Sequence, residues 1–224
     1  MRSVSIFEAT IPVLVGKKRK TQRVGGSGVA VSKKRSVIAV HGDLAVGTIM
    51  EIVTRHGTKL SGKIGFMKYE PDLADIAVVD LDEGHEFPNF VQYSTAPVKL
   101  LQTIVVIAMQ MNGKGEYELS AQTCEVTRIE GSDGSSLFQS TYYSVDGMSG
   151  AGVVTILKEG RCEVVGVHVA SHDTTIAIKQ SSTITVKKVN SDMMTINSNI
   201  HGHHAYCLVC EIFRVEDLLA YLDT

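Results

Sequence analysis

Short β-branched runs separated by glycine-containing turns are the feature that most restricts the fold of this chain. Runs rich in valine, isoleucine and threonine are typical of strands, and the chain has 20 glycines among its 224 residues. A helical period occurs near the C-terminus, where Val215, Leu218, Leu219 and Leu222 would share one face. The sequence therefore predicts an all-β fold that ends in one amphipathic helix.

A serine at position 149 lies in a tight glycine frame just before an apolar run. Residues 146–154 read DGMSGAGVV, so that Gly147 and Gly150 flank the serine. Glycines let the backbone turn sharply, and successive N–H groups can then point at one spot beside the serine side chain. The pattern indicates a nucleophile beside an oxyanion hole, although Gly-x-Ser-Gly is also a common turn. The G-x-S-x-G elbow of α/β-hydrolases is excluded because Ala151 replaces its second glycine.

Two upstream residues carry the other groups that an activated serine needs. His41 follows an apolar run, and Asp75 directly precedes another. An imidazole can take the serine proton near neutral pH, and a carboxylate can fix the tautomer of that imidazole. The order His41, Asp75, Ser149 therefore predicts a catalytic triad. Asp72 is a competing acid, and Asp75 is favoured because it adjoins the aliphatic run.

Several motifs together resemble the chymotrypsin-like proteases, in particular the viral 3C-like serine branch. The resemblance covers roughly residues 24–180, which is most of the chain. It consists of four segments: an opening strand at residues 26–31, an acid-bearing strand at 75–79, a nucleophile turn at 147–150 and a Gly-x-His strand at 166–170.

The resemblance implies two six-stranded antiparallel β-barrels with the active site in the cleft between them. We assign residues 1–90 to an N-terminal barrel with His41 and Asp75, residues 91–180 to a C-terminal barrel with Ser149, and residues 181–224 to an extension that ends in the helix. The expected strands lie near residues 4–15, 26–31, 36–40, 48–54, 60–68 and 75–80 in the first barrel, and near 98–110, 116–129, 136–143, 151–157, 161–170 and 174–179 in the second.

The Gly-x-His strand implies a specificity pocket for Glu or Gln. His168 would line this pocket with Ser144 at its side, and Val169 and Ala170 would complete the substrate-binding strand. No acid is placed to receive Lys or Arg, because the position six before the serine is Tyr143. A protonated His168 would favour Glu, so we expect the preference for Glu over Gln to rise as the pH falls.

The same resemblance assigns the oxyanion hole to Gly147, Met148 and Ser149, with the N–H groups of Gly147 and Ser149 as donors. Gly42 stands where cellular trypsins have Cys, and Met148 stands where they have the Asp that receives the new N-terminal amine. Both departures favour a viral serine endopeptidase that processes a polyprotein, with no cofactor and no metal. Two alternatives remain open: a cellular trypsin-like or HtrA-like protease, and an idle barrel that binds RNA or protein.

Charge and hydropathy restrict the partners and the location. A net charge of −2 gives no general attraction to nucleic acid, and the basic clusters at 17–20 and 33–35 are interpreted as solvated turns rather than an RNA site. No apolar run reaches the length of a membrane-spanning helix, and residues 1–15 lack the apolar core of a signal peptide. We expect the host cytoplasm, with membrane association only through flanking polyprotein segments.

The segment at residues 201–210 contains five possible metal ligands. A zinc knuckle needs a turn between its two cysteines, whereas Leu208 and Val209 favour a strand. The sequence therefore predicts a buried strand here rather than a metal site. With four scattered cysteines, free thiols in a reducing compartment are expected. The candidate ligands are His201, His203, His204, Cys207 and Cys210.

Overall fold

The structure is a computed structural model, and strands dominate it. It describes residues 10–15, 23–40, 44–54, 56–70, 74–111, 117–130, 136–142, 144, 147–157, 160–171, 184–187, 193–196 and 207–224. Apart from one short helix and one turn of 3-10 helix near the C-terminus, the described elements are strands. The predicted all-β class with a C-terminal helix is confirmed.

The first half of the chain forms a closed six-stranded antiparallel barrel. Its spatial order is β1-β2-β3-β6-β5-β4, and the pairing of β1 with β4 closes it. Buried aliphatic side chains such as Val37, Ile52 and Ile64 fill its interior. The strands are β1 (Thr10–Val15), β2 (Arg23–Ala30), β3 (Arg35–Ala39), β4 (Ile49–Val53), β5 (Lys59–Glu70) and β6 (Ala74–Leu81).

The second half forms another closed six-stranded antiparallel barrel. Its order is β10-β11-β14-β9-β8-β7, and the pairing of β10 with β7 closes it. Its interior is filled by side chains such as Ile104, Phe138 and Val153. The strands are β7 (Thr103–Met111), β8 (Tyr117–Glu130), β9 (Leu137–Ser140), β10 (Gly152–Ile156), β11 (Cys162–Ser171) and β14 (Cys207–Glu211).

The strand that completes the second barrel comes from the C-terminal segment. β14 lies between β11 and β9, so residues 207–211 do not belong to an extension outside the barrel as expected from the sequence. The strand expected near residues 174–179 lies outside the described residues. A short apolar run in the sequence indicates a strand but not which strands lie beside it. The position of β14 in the second barrel therefore became clear only from its hydrogen-bonded pairing with β11 and β9. In other respects the division at residues 90 and 180 stays a prediction.

The C-terminal helix packs against the first barrel although it follows the last strand of the second. A 3-10 turn (Ile212–Arg214) leads into α1 (Glu216–Leu222), and Val215 and Leu218 are buried in the same core as β3 and β6. The Arg35 guanidinium donates to the main-chain oxygens of Tyr221 and Leu222 at 2.8 and 3.1 Å. The C-terminal segment therefore connects the two barrels through packing and hydrogen bonds.

A separate two-stranded antiparallel sheet pairs β12 (Ile184–Lys187) with β13 (Met193–Ile196).

Candidate active site

Ser149 lies in a tight turn between β9 and β10. Gly147 and Gly150 have φ angles of 94° and 85°, values that side chains with a Cβ rarely adopt. The Ala151 N–H donates to the Met148 carbonyl at 2.8 Å and closes the turn. Met148 is 1% exposed and packs in the second barrel, whereas Ser149 is only partly buried. The Met148 side chain therefore holds the turn in the core of the second barrel, and Ser149 lies nearer the surface.

The first barrel approaches this turn very closely. The Ser27 N–H on β2 donates to the Ser149 carbonyl at 2.7 Å. A Cβ on Gly26 would lie 2.5 Å from the Ser149 carbonyl oxygen, and a Cβ on Gly150 would lie 2.0 Å from the Ser27 carbonyl oxygen. Glycine is therefore required on both sides of the contact, which brings Ser149 to the junction of the two barrels.

Residues that lie close in sequence to the predicted triad residues His41 and Asp75 also meet at this junction. Ala39 at the end of β3 pairs with Ile76 on β6, and a Cβ on Gly150 would lie 2.8 Å from the Ala39 nitrogen. Asp75 is the second residue of β6 and pairs with Tyr69. His41, two residues after Ala39, and the competing acid Asp72 lie outside the described residues.

His168 is buried on β11 with a polar partner at each ring nitrogen. It is 2% exposed. The Tyr142 hydroxyl lies 2.6 Å from Nδ1, and the Ser144 hydroxyl lies 3.1 Å from Nε2. The sequence assigns both Ser144 and His168 to a specificity pocket; the two side chains are in contact, and the pocket itself stays a prediction. Tyr142 was not predicted, because nothing in its local sequence indicates that its hydroxyl faces a histidine.

Two backbone hydrogen bonds connect the serine turn to the His168 strand. The Gly150 N–H donates to the His168 carbonyl at 2.8 Å, and the His168 N–H donates to the Ala151 carbonyl at 2.9 Å. Val169 is buried, Ala170 is exposed, and the pairing of β11 with β14 is irregular between His168 and Ala170. The imidazole is therefore held at a fixed place relative to Ser149.

A cysteine on β14 supports the tyrosine beside His168. The Cys207 thiol donates to the Tyr142 carbonyl at 3.1 Å. Burial raises the pKa of the Cys207 thiol to about 11, and burial also raises the pKa of the Tyr142 hydroxyl well above its ordinary value. Both groups therefore keep their protons near neutral pH, and the tyrosine remains able to donate a hydrogen bond.

The comparisons with known proteins agree with this architecture. A crystal structure of the Rv3671c protease in an inactive form matches with a TM-score of 0.57 and 14% sequence identity, over 98% of this chain and 91% of that one. The chain has a chymotrypsin-like fold. At this identity the likeness concerns the fold alone. No family model and no curated protein matches the sequence.

A second grouping of serine, histidine and aspartate exists on the first barrel, but its geometry is different. The Ser61 hydroxyl donates to Asp82 at 2.6 Å, while the His85 Nδ1 accepts the Ser61 backbone N–H at 3.0 Å. Because this imidazole faces the backbone rather than the hydroxyl, it is not arranged to activate Ser61.

The possible metal ligands near the C-terminus lie only partly within the described residues. Cys207 and Cys210 are buried on β14, which confirms the predicted strand, and the Cys207 thiol makes the bond to Tyr142 given above. His201, His203 and His204 lie outside the described residues. In the part of the chain that is described, no cluster of His, Cys, Asp or Glu is suited to a metal ion, and no helix there is long and apolar enough to cross a bilayer.

A cavity of about 480 Å³ lies on the second barrel and contains none of the predicted site residues. Leu100 and Leu101 beside it are largely exposed. Residues of the interbarrel linker and of the ends of β10 and β11 line it: Ser94, Ala96, Pro97, Lys99, Leu100, Leu101, Gln102, Thr155, Leu157, Glu163 and Val165. The candidate active site at Ser149 is therefore separate from this cavity.

Proposed function

We propose that the chain is a serine endopeptidase whose triad is His41, Asp75 and Ser149. The observation that carries this proposal is the close approach of the Ser149–Gly150 turn to Ala39, which itself pairs with Ile76. His41 is two residues from Ala39, and Asp75 directly precedes Ile76. These links in sequence support a site in which all three residues meet, as a triad requires.

The reaction follows from the chemistry of the three side chains. The Ser149 Oγ attacks the scissile carbonyl while His41 takes its proton, and His41 then passes that proton to the leaving amine. Asp75 orients the imidazole and stabilises its charged form. The oxyanion is held at residues 147–149 by the N–H groups of Gly147 and Ser149, and each such donor contributes about 3–4 kcal/mol in comparable sites.

The pocket beside the serine favours a substrate with Glu or Gln before the cut. A histidine N–H and a serine hydroxyl can both donate to the side-chain oxygen of these residues, and His168 and Ser144 are in contact. In the free enzyme these two groups pair with each other at 3.1 Å, and only a substrate with that oxygen offers them a further acceptor, which favours Glu and Gln in kcat/KM. Val169 and Ala170 continue the same strand, whose backbone would pair with the substrate.

The biological setting that we propose is the cytoplasm of an infected cell, where the enzyme would cut a viral polyprotein, with membranes reached only through flanking segments. The support for it is the sequence resemblance to the viral 3C-like branch. A role in RNA binding has less support, because Lys33 and Lys34 lie near Glu86 and Arg35 forms an ion pair with Asp80.

The first test is labelling with a fluorophosphonate, which reacts only with an activated serine. The wild-type protein should be labelled, and Ser149→Ala should lose both labelling and turnover, with a residual rate of about 10³–10⁴ over water. Ser61→Ala is the matched control, because it removes the other serine that lies near a histidine and an aspartate. An unlabelled wild-type protein would indicate an idle barrel, and labelling lost in Ser61→Ala would assign the nucleophile to Ser61.

The second test uses paired peptides that differ only in the residue before the cut. We expect kcat/KM to be highest for Glu and Gln, and the ratio of Glu to Gln to rise between pH 8.5 and pH 5.5. His168→Ala should lose this selectivity. Efficient cleavage after Lys, Arg or a small aliphatic residue would favour a cellular trypsin-like or HtrA-like enzyme instead.

A further inference from the structure

Ser27 on the first barrel holds two carbonyls of the nucleophile turn on the second. Its N–H donates to the Ser149 carbonyl at 2.7 Å, and its hydroxyl donates to the Gly147 carbonyl at 2.7 Å. The side chain is fully buried. One residue therefore fixes both the beginning of the Gly147–Gly150 segment and the serine itself.

The Ser27 hydroxyl is itself held in one orientation. It accepts the Met109 N–H of β7 at 2.8 Å. A serine hydroxyl has one proton to donate, and the Gly147 carbonyl at 2.7 Å is a better acceptor than the Met109 carbonyl at 3.5 Å. The incoming N–H and the outgoing O–H thus link β2, β7 and the nucleophile turn in one short chain of hydrogen bonds.

Three successive peptide planes in the turn are each fixed through their carbonyl. The Met148 carbonyl accepts the Ala151 N–H, and Ser27 accounts for the carbonyls of Gly147 and Ser149. Because the peptide unit is planar, these bonds fix the N–H groups of Met148, Ser149 and Gly150. The peptide that the Ser27 hydroxyl holds, Gly147–Met148, lies between the two proposed oxyanion donors, the N–H groups of Gly147 and Ser149. Gly147 has φ of 94° and no Cβ, so without this bond its peptide could rotate at little steric cost.

We propose that Ser27 is a positioning residue whose hydroxyl orients the turn that presents the oxyanion-hole N–H groups and the Ser149 nucleophile. This inference rests on the proposed endopeptidase function. A small misplacement of such groups can lower turnover about 10²-fold without weakening ground-state binding. The hydroxyl acts from the opposite barrel, so turnover depends on the register between the barrels.

The test compares Ser27→Ala with a buried serine of the same barrel that serves as a control. Ser36 on β3 is also fully buried, and its hydroxyl has no hydrogen-bond partner among the described residues. For each variant, kcat and KM are measured on the preferred peptide, the second-order rate of fluorophosphonate labelling is determined, and folding is followed by urea titration.

We expect Ser27→Ala to lower kcat and the labelling rate about 10- to 100-fold, with KM within about threefold of wild type. Ser36→Ala should retain the wild-type kcat. A folded Ser27→Ala with wild-type kcat would overturn the inference. If Ser27→Ala does not fold, the nearly isosteric Ser27→Cys takes its place, because a thiol is a weaker donor and the same loss of kcat is expected.

Ser149→Ala separates the two proposals. If Ser149→Ala keeps wild-type turnover, the proposed function fails. If Ser149→Ala is inactive and Ser27→Ala keeps wild-type kcat, only the inference about Ser27 is rejected.

Discussion

At the scale of single residues, the Tyr142 hydroxyl contacts one ring nitrogen of His168. The pKa of this hydroxyl is raised well above its ordinary value by burial, so the group keeps its proton and can donate it to Nδ1 at 2.6 Å. An Nδ1 that accepts a hydrogen bond has no proton of its own, and Nε2 then carries the imidazole proton toward the Ser144 hydroxyl. A bond in this direction favours the Nε2–H tautomer of His168.

Tyr142→Phe should therefore change the pH dependence of specificity more than activity itself. Loss of the donor frees Nδ1 to bind a proton, so the preference for Glu over Gln should rise by about a further two- to tenfold between pH 8.5 and pH 5.5. This range corresponds to the net free energy of one hydrogen bond between neutral groups. The measurement is kcat/KM for the paired peptides across this pH range. Tyr93→Phe is the control, because its hydroxyl bonds to Asp223 near the C-terminus; an identical pH profile in Tyr142→Phe and wild type would contradict the argument.

At the scale of elements, β14 is held in the second barrel by a buried carboxylate. The Glu211 side chain at its end is fully buried, its Oε1 accepts the Val98 N–H of the interbarrel linker at 2.7 Å, and its Oε2 lies 2.7 Å from the Arg214 Nε. The latter contact is an ion pair without hydrogen-bond geometry. Burial raises the pKa of the Glu211 carboxyl, and the Val98 bond and Arg214 oppose that rise.

Glu211→Gln should change how stability depends on pH. A carboxyl whose pKa is raised by folding contributes stability that is present below its unfolded pKa and lost as the pH rises through the folded pKa. Glutamine has no such dependence and keeps an acceptor for the Val98 N–H. The difference in free energy of unfolding, Glu211→Gln minus wild type, should therefore be larger at pH 7.5 than at pH 4, so that the variant is relatively more stable at the higher pH. Urea titration at both pH values measures it.

Glu211→Ala provides the control for the acceptor itself. Relative to Glu211→Gln, this variant leaves the Val98 N–H unpaired and should lose about 1–3 kcal/mol of stability at either pH. A difference between Glu211→Gln and wild type that stays constant from pH 4 to pH 7.5 would mean that Glu211 does not titrate differently on folding.

Elements with a strong local signal could be predicted from the sequence, and those defined by distant partners could not. The strand expected at residues 36–40 corresponds to β3 (Arg35–Ala39). It could be predicted because a β-branched run between two turns is a local signal for a strand. The place of β14 between β9 and β11 depends on pairing with residues far away in the chain. For the site, the sequence places Ser144 and His168 in the same region through the Gly-x-His motif. The bonds of Tyr142 and Ser27 join distant elements and leave no pattern in the sequence.

At the scale of the whole molecule, the two barrels meet through backbone contacts that tolerate no side chain. Gly150 needs a positive φ for the turn, and its missing Cβ makes room for the Ser27 carbonyl and the Ala39 nitrogen. These two requirements have separate physical causes. One concerns the local backbone of the second barrel, and the other concerns its distance from the first.

Gly150→Ala and Gly160→Ala should separate these two requirements. Both glycines have positive φ, at 85° and 71°, but a Cβ added at Gly150 would meet atoms of the first barrel, whereas a Cβ added at Gly160 would meet nothing within 4 Å. Both variants should lose about 1–2 kcal/mol of stability from backbone strain. Gly150→Ala alone should also push the barrels apart and lower kcat at least about 10²-fold. The measurements are urea titration and peptide turnover, and equal turnover in the two variants would reject a separate effect of the barrel contact.

The late position of β14 in the chain has a consequence for the newly made protein. The first barrel has all of its strands once Leu81 has been synthesised, whereas the second lacks one until Cys207–Glu211 emerges, long after the Ser149 turn. Domains fold as their segments leave the ribosome, N-terminal ones first. A nascent chain would thus carry the proposed nucleophile in an unfinished barrel. Under the proposed polyprotein function, cleavage of neighbouring sequences would begin only after translation has passed the last strand, so that proteolysis would lag behind synthesis.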